Sequence, residues 1–136
     1  MDSETSGNAD PLTARIALFN DCEFARVMGF SVAEVRDGYA RILMPAAGKG
    51  NPHGVMHGGA IFTLADQAFA LAANAGGKDR VAVSAHIQFI APASGDLEAV
   101  ATLVGHSGNY WTYRIAVTEG TRLIATFDGT AIQVSP

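Results

Sequence analysis

One acidic residue interrupts the most apolar stretch of the sequence. The stretch covers residues 60–75, and Asp66 lies near its middle among alanine, leucine and phenylalanine side chains. A carboxylate in apolar surroundings loses solvation, which raises its pKa toward the range useful to a general base. A carboxylate held by an arginine or by the backbone of a neighbouring chain is the structural alternative, and at this point both interpretations stay open.

The residues that precede this stretch, His57-Gly58-Gly59, are suited to binding a carbonyl oxygen. The first N–H groups of a helix are unpaired and lie at its positive end, and glycine lets a ligand approach closely. A plain turn whose histidine holds the loop is the alternative. Gly58 and Asp66 are eight residues apart, about 12 Å along a helix. If both act on one carbonyl, they must come from two subunits of a symmetric dimer.

Other candidate groups are less suited to a catalytic or metal-binding role. His53 and His57 have helical spacing, but Pro52 and Gly54 disfavour a helix there and a zinc site needs more ligands. We therefore expect no metal. Ser84 lies in a strand-like segment without the Gly-x-Ser-x-Gly elbow of a nucleophilic serine. We expect its hydroxyl to orient a water or the acid instead of attacking substrate.

The elements that must position these residues follow from the pattern of the chain. Asp-Pro at 10–11 predicts the start of a helix that ends at Gly29, and Asp-Gly at 37–38 predicts a hairpin. Residues 60–75 are apolar on almost every side, which predicts a buried helix. Four alternating segments between residues 81 and 134 predict an antiparallel meander with one face on the core. The fold class is α+β, with an antiparallel sheet wrapped around one long central helix.

The composition of the chain limits its domain number, its possible partners and its cellular compartment. The chain has 136 residues, of which 49% are hydrophobic and only 16% are charged, and its net charge is −4. We expect one domain over 10–136, a polar mobile tail over 1–9, and an oligomer that covers apolar surface. Scattered basic residues disfavour a nucleic-acid partner, and no segment is typical of a membrane span or signal peptide. With Cys22 as its only cysteine, the chain is expected to be cytoplasmic.

The spacing of the candidate residues resembles that of hotdog-fold acyl-CoA thioesterases, specifically the PaaI-like branch, which takes its name from phenylacetic acid degradation and includes THEM2-type enzymes. The resemblance extends from Phe24 to Ala131, and the matching positions are Asn51, His57, Gly58, Gly59, Asp66, Ser84, Phe89 and Pro92. It implies a homodimer or homotetramer that hydrolyses an acyl-CoA to a free acid and CoA, with no cofactor beyond the CoA of the substrate.

The resemblance also implies a role for each matching catalytic residue. Asp66 is expected to act as general base on water or as nucleophile, and the Gly58 N–H to polarise the thioester carbonyl. Asn51 is expected to position the water or the carbonyl from the subunit that supplies Gly58. His57 is expected to support this loop and Ser84 to orient the water.

Substrate binding is expected at Gly59, Phe62, Phe69 and Arg80. Gly59 matches the family as a packing position. Phe62, Phe69 and Trp111 fit an aryl pocket and the core equally well, and only the resemblance implies an aryl or medium-chain acyl group. Many relatives carry a basic residue near the turn that here spans 105–110, but this chain has no lysine or arginine between residues 80 and 114. The CoA phosphates are therefore expected at Arg80, Lys78 or His106.

Two other functions stay open at this point. A non-catalytic acyl-CoA-binding module would bind the thioester without releasing thiol. A hotdog enoyl-CoA hydratase or dehydratase would use a histidine and a carboxylate on one substrate, and an absorbance assay with an enoyl-CoA separates it from thiol release.

Overall fold

The structure, a computed structural model, describes residues 10–134. The predicted tail over residues 1–9 lies outside the described residues. The helices are α1 (Pro11–Asn20), α2 (Glu23–Met28) and α3 (Gly58–Asn74), and the strands are β1 (Ser31–Arg36), β2 (Tyr39–Met44), β3 (Arg80–Phe89), β4 (Leu97–Ser107), β5 (Tyr110–Glu119) and β6 (Arg122–Gln133). Within residues 10–134, no helix is both long and apolar enough to cross a membrane.

The six strands form one antiparallel sheet in the order β1-β2-β4-β5-β6-β3. Helix α3 packs across one face of this sheet and contacts strands along its whole width. Asp37 and Gly38 form the predicted hairpin turn, in which Gly38 has a φ of +77°. The predicted α+β hotdog fold, a sheet wrapped around one long helix, is confirmed.

Aromatic packing fixes the distance between α3 and the sheet. The ring of Phe69 on α3 lies 5.4 Å from the ring of Tyr113 and 5.9 Å from that of Phe127, measured between centroids. A Cβ added to Gly129 would lie 2.7 Å from Cε2 of Phe69. Glycine on β6 therefore lets the helix approach this closely.

The single N-terminal helix predicted up to Gly29 is wrong, because two helices occupy the segment. Helix α1 ends at Asn20, and Cys22 has extended backbone angles before α2 begins. Asn20 and Asp21 have low helix propensity because their short polar side chains compete for backbone hydrogen bonds. Gly29 does end α2, with a φ of +77°.

Two surfaces that the sequence predicts as buried are open in the protomer. Helix α3 leaves one stripe uncovered by the sheet, and Asp66 on this stripe is exposed. Strand β3 is at the edge of the sheet, so its alternating pattern does not place one face in the core. Its side chains Val81 and Val83 are 47% and 50% exposed.

Candidate active site

Asp66 lines a cavity of about 230 Å³ between α3, α1 and the edge of the sheet. The other lining residues are Phe19, Phe69, Ala70, Ala73, Asn74, Arg80, Val81, Ala82 and Ala131. The carboxylate can be reached by solvent in the protomer, but the surrounding protein is dense enough that burial raises the pKa of Asp66. No side chain or backbone group among residues 10–134 pairs with it. Its charge is thus left available for a reaction.

The N-terminus of α3 leaves one amide group without a partner. His57 caps the helix, and its Nδ1 accepts the Gly59 N–H at 2.8 Å. The His57 carbonyl accepts the N–H groups of Ala60 and Ile61 at 2.9 and 3.3 Å. Within the described part of the chain, the Gly58 N–H donates to no protein group. This donor can therefore bind a carbonyl oxygen.

Gly58 lines a second cavity, of about 290 Å³. A Cβ added to Gly58 would lie 3.4 Å from the ring of Phe89, so the ring packs directly on this backbone. Gly58 and Asp66 line different cavities of the protomer, in agreement with their separation along α3. A single protomer does not bring the amide donor and the acid onto one carbonyl.

Asn51 organises the loop that leads into α3. Its Oδ1 accepts the N–H groups of His53 at 2.9 Å and Val55 at 3.2 Å. The loop is closed further by a 2.7 Å bond from the His57 N–H to the Lys49 carbonyl. The side-chain oxygen of Asn51 is thus engaged by the backbone, while its amide group donates to no described residue.

Ser84 lies outside both cavities. It stands on β3 opposite Thr130, next to an irregularity in the pairing of β3 and β6. The protomer therefore does not bring Ser84 into the cavity of Asp66, the position that the resemblance implies.

The predicted substrate-binding residues serve different structural roles. The ring of Phe62 packs edge-on against Phe127 with centroids 5.2 Å apart, and Phe69, only 2% exposed, belongs to the core as well as to the Asp66 cavity. A Cβ on Gly59 would lie 3.1 Å from Nδ1 of His57, which fits a packing position.

Arg80 is held inside the protein by three groups. Its Nη1 donates to the Ala73 carbonyl at 3.3 Å and to the Tyr113 hydroxyl at 3.1 Å, and its guanidinium lies 4.2 Å from the centre of the Trp111 ring. The Trp111 ring also stacks on His106, with centroids 5.0 Å apart. These contacts hold Arg80 at the wall of the Asp66 cavity.

Several residues that shape the Asp66 cavity were not predicted from the sequence. Ala70 and Ala73 follow Asp66 at helical spacing on the same stripe, and this small-residue pattern could have been found. Phe19 reaches the cavity from α1, and no local pattern indicated that. Gln67 holds α1 in place, because its Nε2 donates to the Phe19 carbonyl at 3.0 Å.

Comparison with known proteins gives the class to which this fold and site belong. The family model of the thioesterase superfamily matches residues 53–125, which include the start of α3, Asp66 and most of the sheet. The chain belongs to this superfamily of hotdog proteins, and it is an enzyme of the thioester hydrolase class.

Within the superfamily, the chain is a PaaI-like protein. It is 33% identical to the acyl-coenzyme A thioesterase PaaI of Escherichia coli K12 over 94 residues, 68% of this chain and 67% of that protein. The solved structure of E. coli PaaI matches this fold with a TM-score of 0.84. The match covers 90% of this chain and 92% of the PaaI chain. A mutant of the phenylacetic acid degradation protein PaaI from Thermus thermophilus is 34% identical, with a TM-score of 0.79 over 83% of this chain and all of that one.

Proposed function

We propose that the protein hydrolyses an acyl-CoA thioester to a free acid and CoA, with Asp66 as the catalytic carboxylate. The observation that carries this proposal is an unpaired carboxylate of raised pKa in a largely apolar cavity. Acting as a base, Asp66 takes a proton from water while the water oxygen bonds to the thioester carbon. Acting as a nucleophile, it attacks that carbon itself, and water then releases the acid. In both routes the carbon–sulfur bond breaks and CoA leaves as the thiolate.

The proposed oxyanion donor is the N–H of Gly58 from a second protomer. Because Gly58 and Asp66 line different cavities, a shared site needs two chains. Strand β3 supports a dimer, because it is an edge strand of ten residues that exposes apolar side chains. Such an edge is normally covered in a native protein. A homodimer or a homotetramer built from such dimers provides this shared site.

The acyl group is proposed to enter the Asp66 cavity. A volume of about 230 Å³ and a lining of alanine and aromatic side chains suit an aryl or medium-chain acyl group. As proposed, the reaction requires water as its second substrate and no cofactor beyond the CoA of the substrate. The unpaired, exposed Cys22 supports a reducing compartment, and we propose the cytoplasm.

A thiol-release assay over aryl, short-chain and longer acyl-CoAs tests this function. Asp66→Asn keeps the side-chain volume and removes the base, so we expect turnover to fall at least about 100-fold. Asp128→Asn is the matched control, since Asp128 pairs with Arg114 on an exposed part of the sheet, and it should keep wild-type turnover. Near-normal turnover by Asp66→Asn would refute the assignment.

An acyl-CoA binding measurement and an enoyl-CoA absorbance assay, made beside the thiol-release assay, distinguish the two other functions. Tight binding of acyl-CoA without thiol release would favour a binding module. Water addition to an enoyl-CoA, followed by its absorbance, without thiol release would favour a hydratase. Either result would overturn the proposed hydrolysis.

A further inference from the structure

Helix α1 forms one side of the Asp66 cavity without being part of the core. None of residues 11–20 is buried, whereas α3 buries most of its side chains. Phe19 is the residue that α1 contributes to the cavity lining, and its half-buried side chain packs against the core. One wall of the proposed acyl site is therefore an outer helix, whose side chain can be changed without opening the core.

Two sets of polar contacts fix the position of α1 on α3. Nε of Arg15 donates to the carbonyl of Asn74, at the end of α3, at 2.7 Å. About one helical turn later, the carbonyl of Phe19 accepts a hydrogen bond of 3.0 Å from Nε2 of Gln67. Helix α1 therefore runs antiparallel to α3, and Phe19 is held at the level of Gln67, the residue that follows Asp66.

The other cavity walls contribute side chains that are small or are held in place. Helix α3 contributes Ala70 and Ala73, which are small, and Phe69, which is only 2% exposed and packs between aromatic rings of the sheet. Arg80 is held by two hydrogen bonds and by an indole ring. Of the two aromatic side chains in the lining, Phe19 is thus the one that lies outside the packed core.

We propose that Phe19 is a specificity-determining residue that limits the length of the acyl group. The inference rests on the proposed thioesterase function and on entry of the acyl group into the Asp66 cavity. An apolar cavity of about 150 Å³ holds one benzene molecule, so each carbon needs about 25 Å³. The cavity of about 230 Å³ then holds roughly nine carbons. A longer acyl chain needs space that the ring of Phe19 occupies.

The test is the chain-length profile of kcat/KM over saturated acyl-CoAs from hexanoyl-CoA to palmitoyl-CoA, each used below its micelle-forming concentration. In the wild-type protein we expect kcat/KM to be highest at octanoyl-CoA or decanoyl-CoA. Phe19→Ala removes the ring and should raise the ratio of kcat/KM for dodecanoyl-CoA to that for octanoyl-CoA at least about 10-fold. This is the lower end of the effect of one methylene in an apolar pocket, about 10- to 200-fold. An unchanged ratio would overturn the inference.

Two further variants separate the size of the ring from the stability of α1. Phe19→Trp enlarges the ring and should lower the same ratio, whereas a loss of folded protein lowers kcat/KM for both substrates by one factor and leaves the ratio unchanged. Leu18→Ala is the matched control, since the neighbouring Leu18 is 67% exposed and lies outside the cavity lining. It should keep the wild-type profile. A shift as large as that of Phe19→Ala would mean that a loosened helix sets the profile, and would overturn the inference.

Failure of the inference and failure of the proposed function give different results. If acyl-CoAs are hydrolysed but the variants of Phe19 keep the wild-type chain-length profile, the inference about Phe19 is wrong and the thioesterase assignment stands. If no acyl-CoA releases thiol under conditions where the protein is folded, both are wrong.

Discussion

At the scale of single residues, the reactivity of the site depends on the protonation state of Asp66. Burial raises the pKa of this carboxyl above its ordinary value, and only the deprotonated form can accept a proton or attack a carbonyl. We therefore expect kcat/KM to fall on acidification, with a midpoint above the usual range for aspartate. A pH profile between about 3.5 and 8 with a substrate whose acyl group does not ionise, such as hexanoyl-CoA, checks this. A rate that stays constant down to the ordinary pKa of aspartate would contradict it.

The amide of Gly58 can be removed with little change to the helix. Proline is favoured at the first helical position, and His57 before it has the extended backbone, φ −62° and ψ 134°, that precedes proline readily. Gly58→Pro deletes the N–H, so we expect kcat to fall about 100- to 1,000-fold, as on loss of an oxyanion donor. Gly58→Ala retains the N–H and adds a Cβ 3.4 Å from Phe89, so it should be much more active. Equal activity of the two variants would exclude this donor.

At the scale of elements, the contact between α3 and β6 depends on Gly129. Gly129→Ala places a methyl group against Phe69, which lies in a packed core, and overpacking of this kind costs about 1–3 kcal/mol. We expect a lower urea midpoint for unfolding. Gly105→Ala is the matched control on β4, because a Cβ there meets nothing within 4 Å. A midpoint for Gly129→Ala equal to that of the control would mean that α3 shifts at no cost.

The sequence predicted elements well where local pattern and burial agree. The apolar run around Asp66 indicated α3, and Asp37-Gly38 indicated the hairpin, because turn chemistry and helical periodicity are local. The prediction of a single N-terminal helix failed at Asn20–Cys22, where weak helix propensity outweighed amphipathic spacing. The exposure of β3 and the inward position of Arg80 were not predictable, since strand order and cross-sheet packing depend on residues far apart in sequence.

At the scale of the whole molecule, the proposed active site is divided between two chains. Asp66→Asn and Gly58→Pro each inactivate one half of every site in their own homodimers. Refolding an equal mixture should give half heterodimers, each with one intact site, and so about a quarter of wild-type activity. The measurement is thiol release by the refolded mixture, with heterodimers quantified by native mass spectrometry. If heterodimers form without any recovery, the site is not shared.

A control mixture combines wild-type chains with chains that carry both substitutions. If the site is shared, each site of a heterodimer takes one substituted residue from the altered chain, so both of its sites are inactive. About a quarter of the activity then remains, from wild-type homodimers alone. If each site lies within one chain, every wild-type chain stays active and about half remains. The two mixtures together therefore separate a composite site from a change in folding yield, because folding losses would reduce both in parallel.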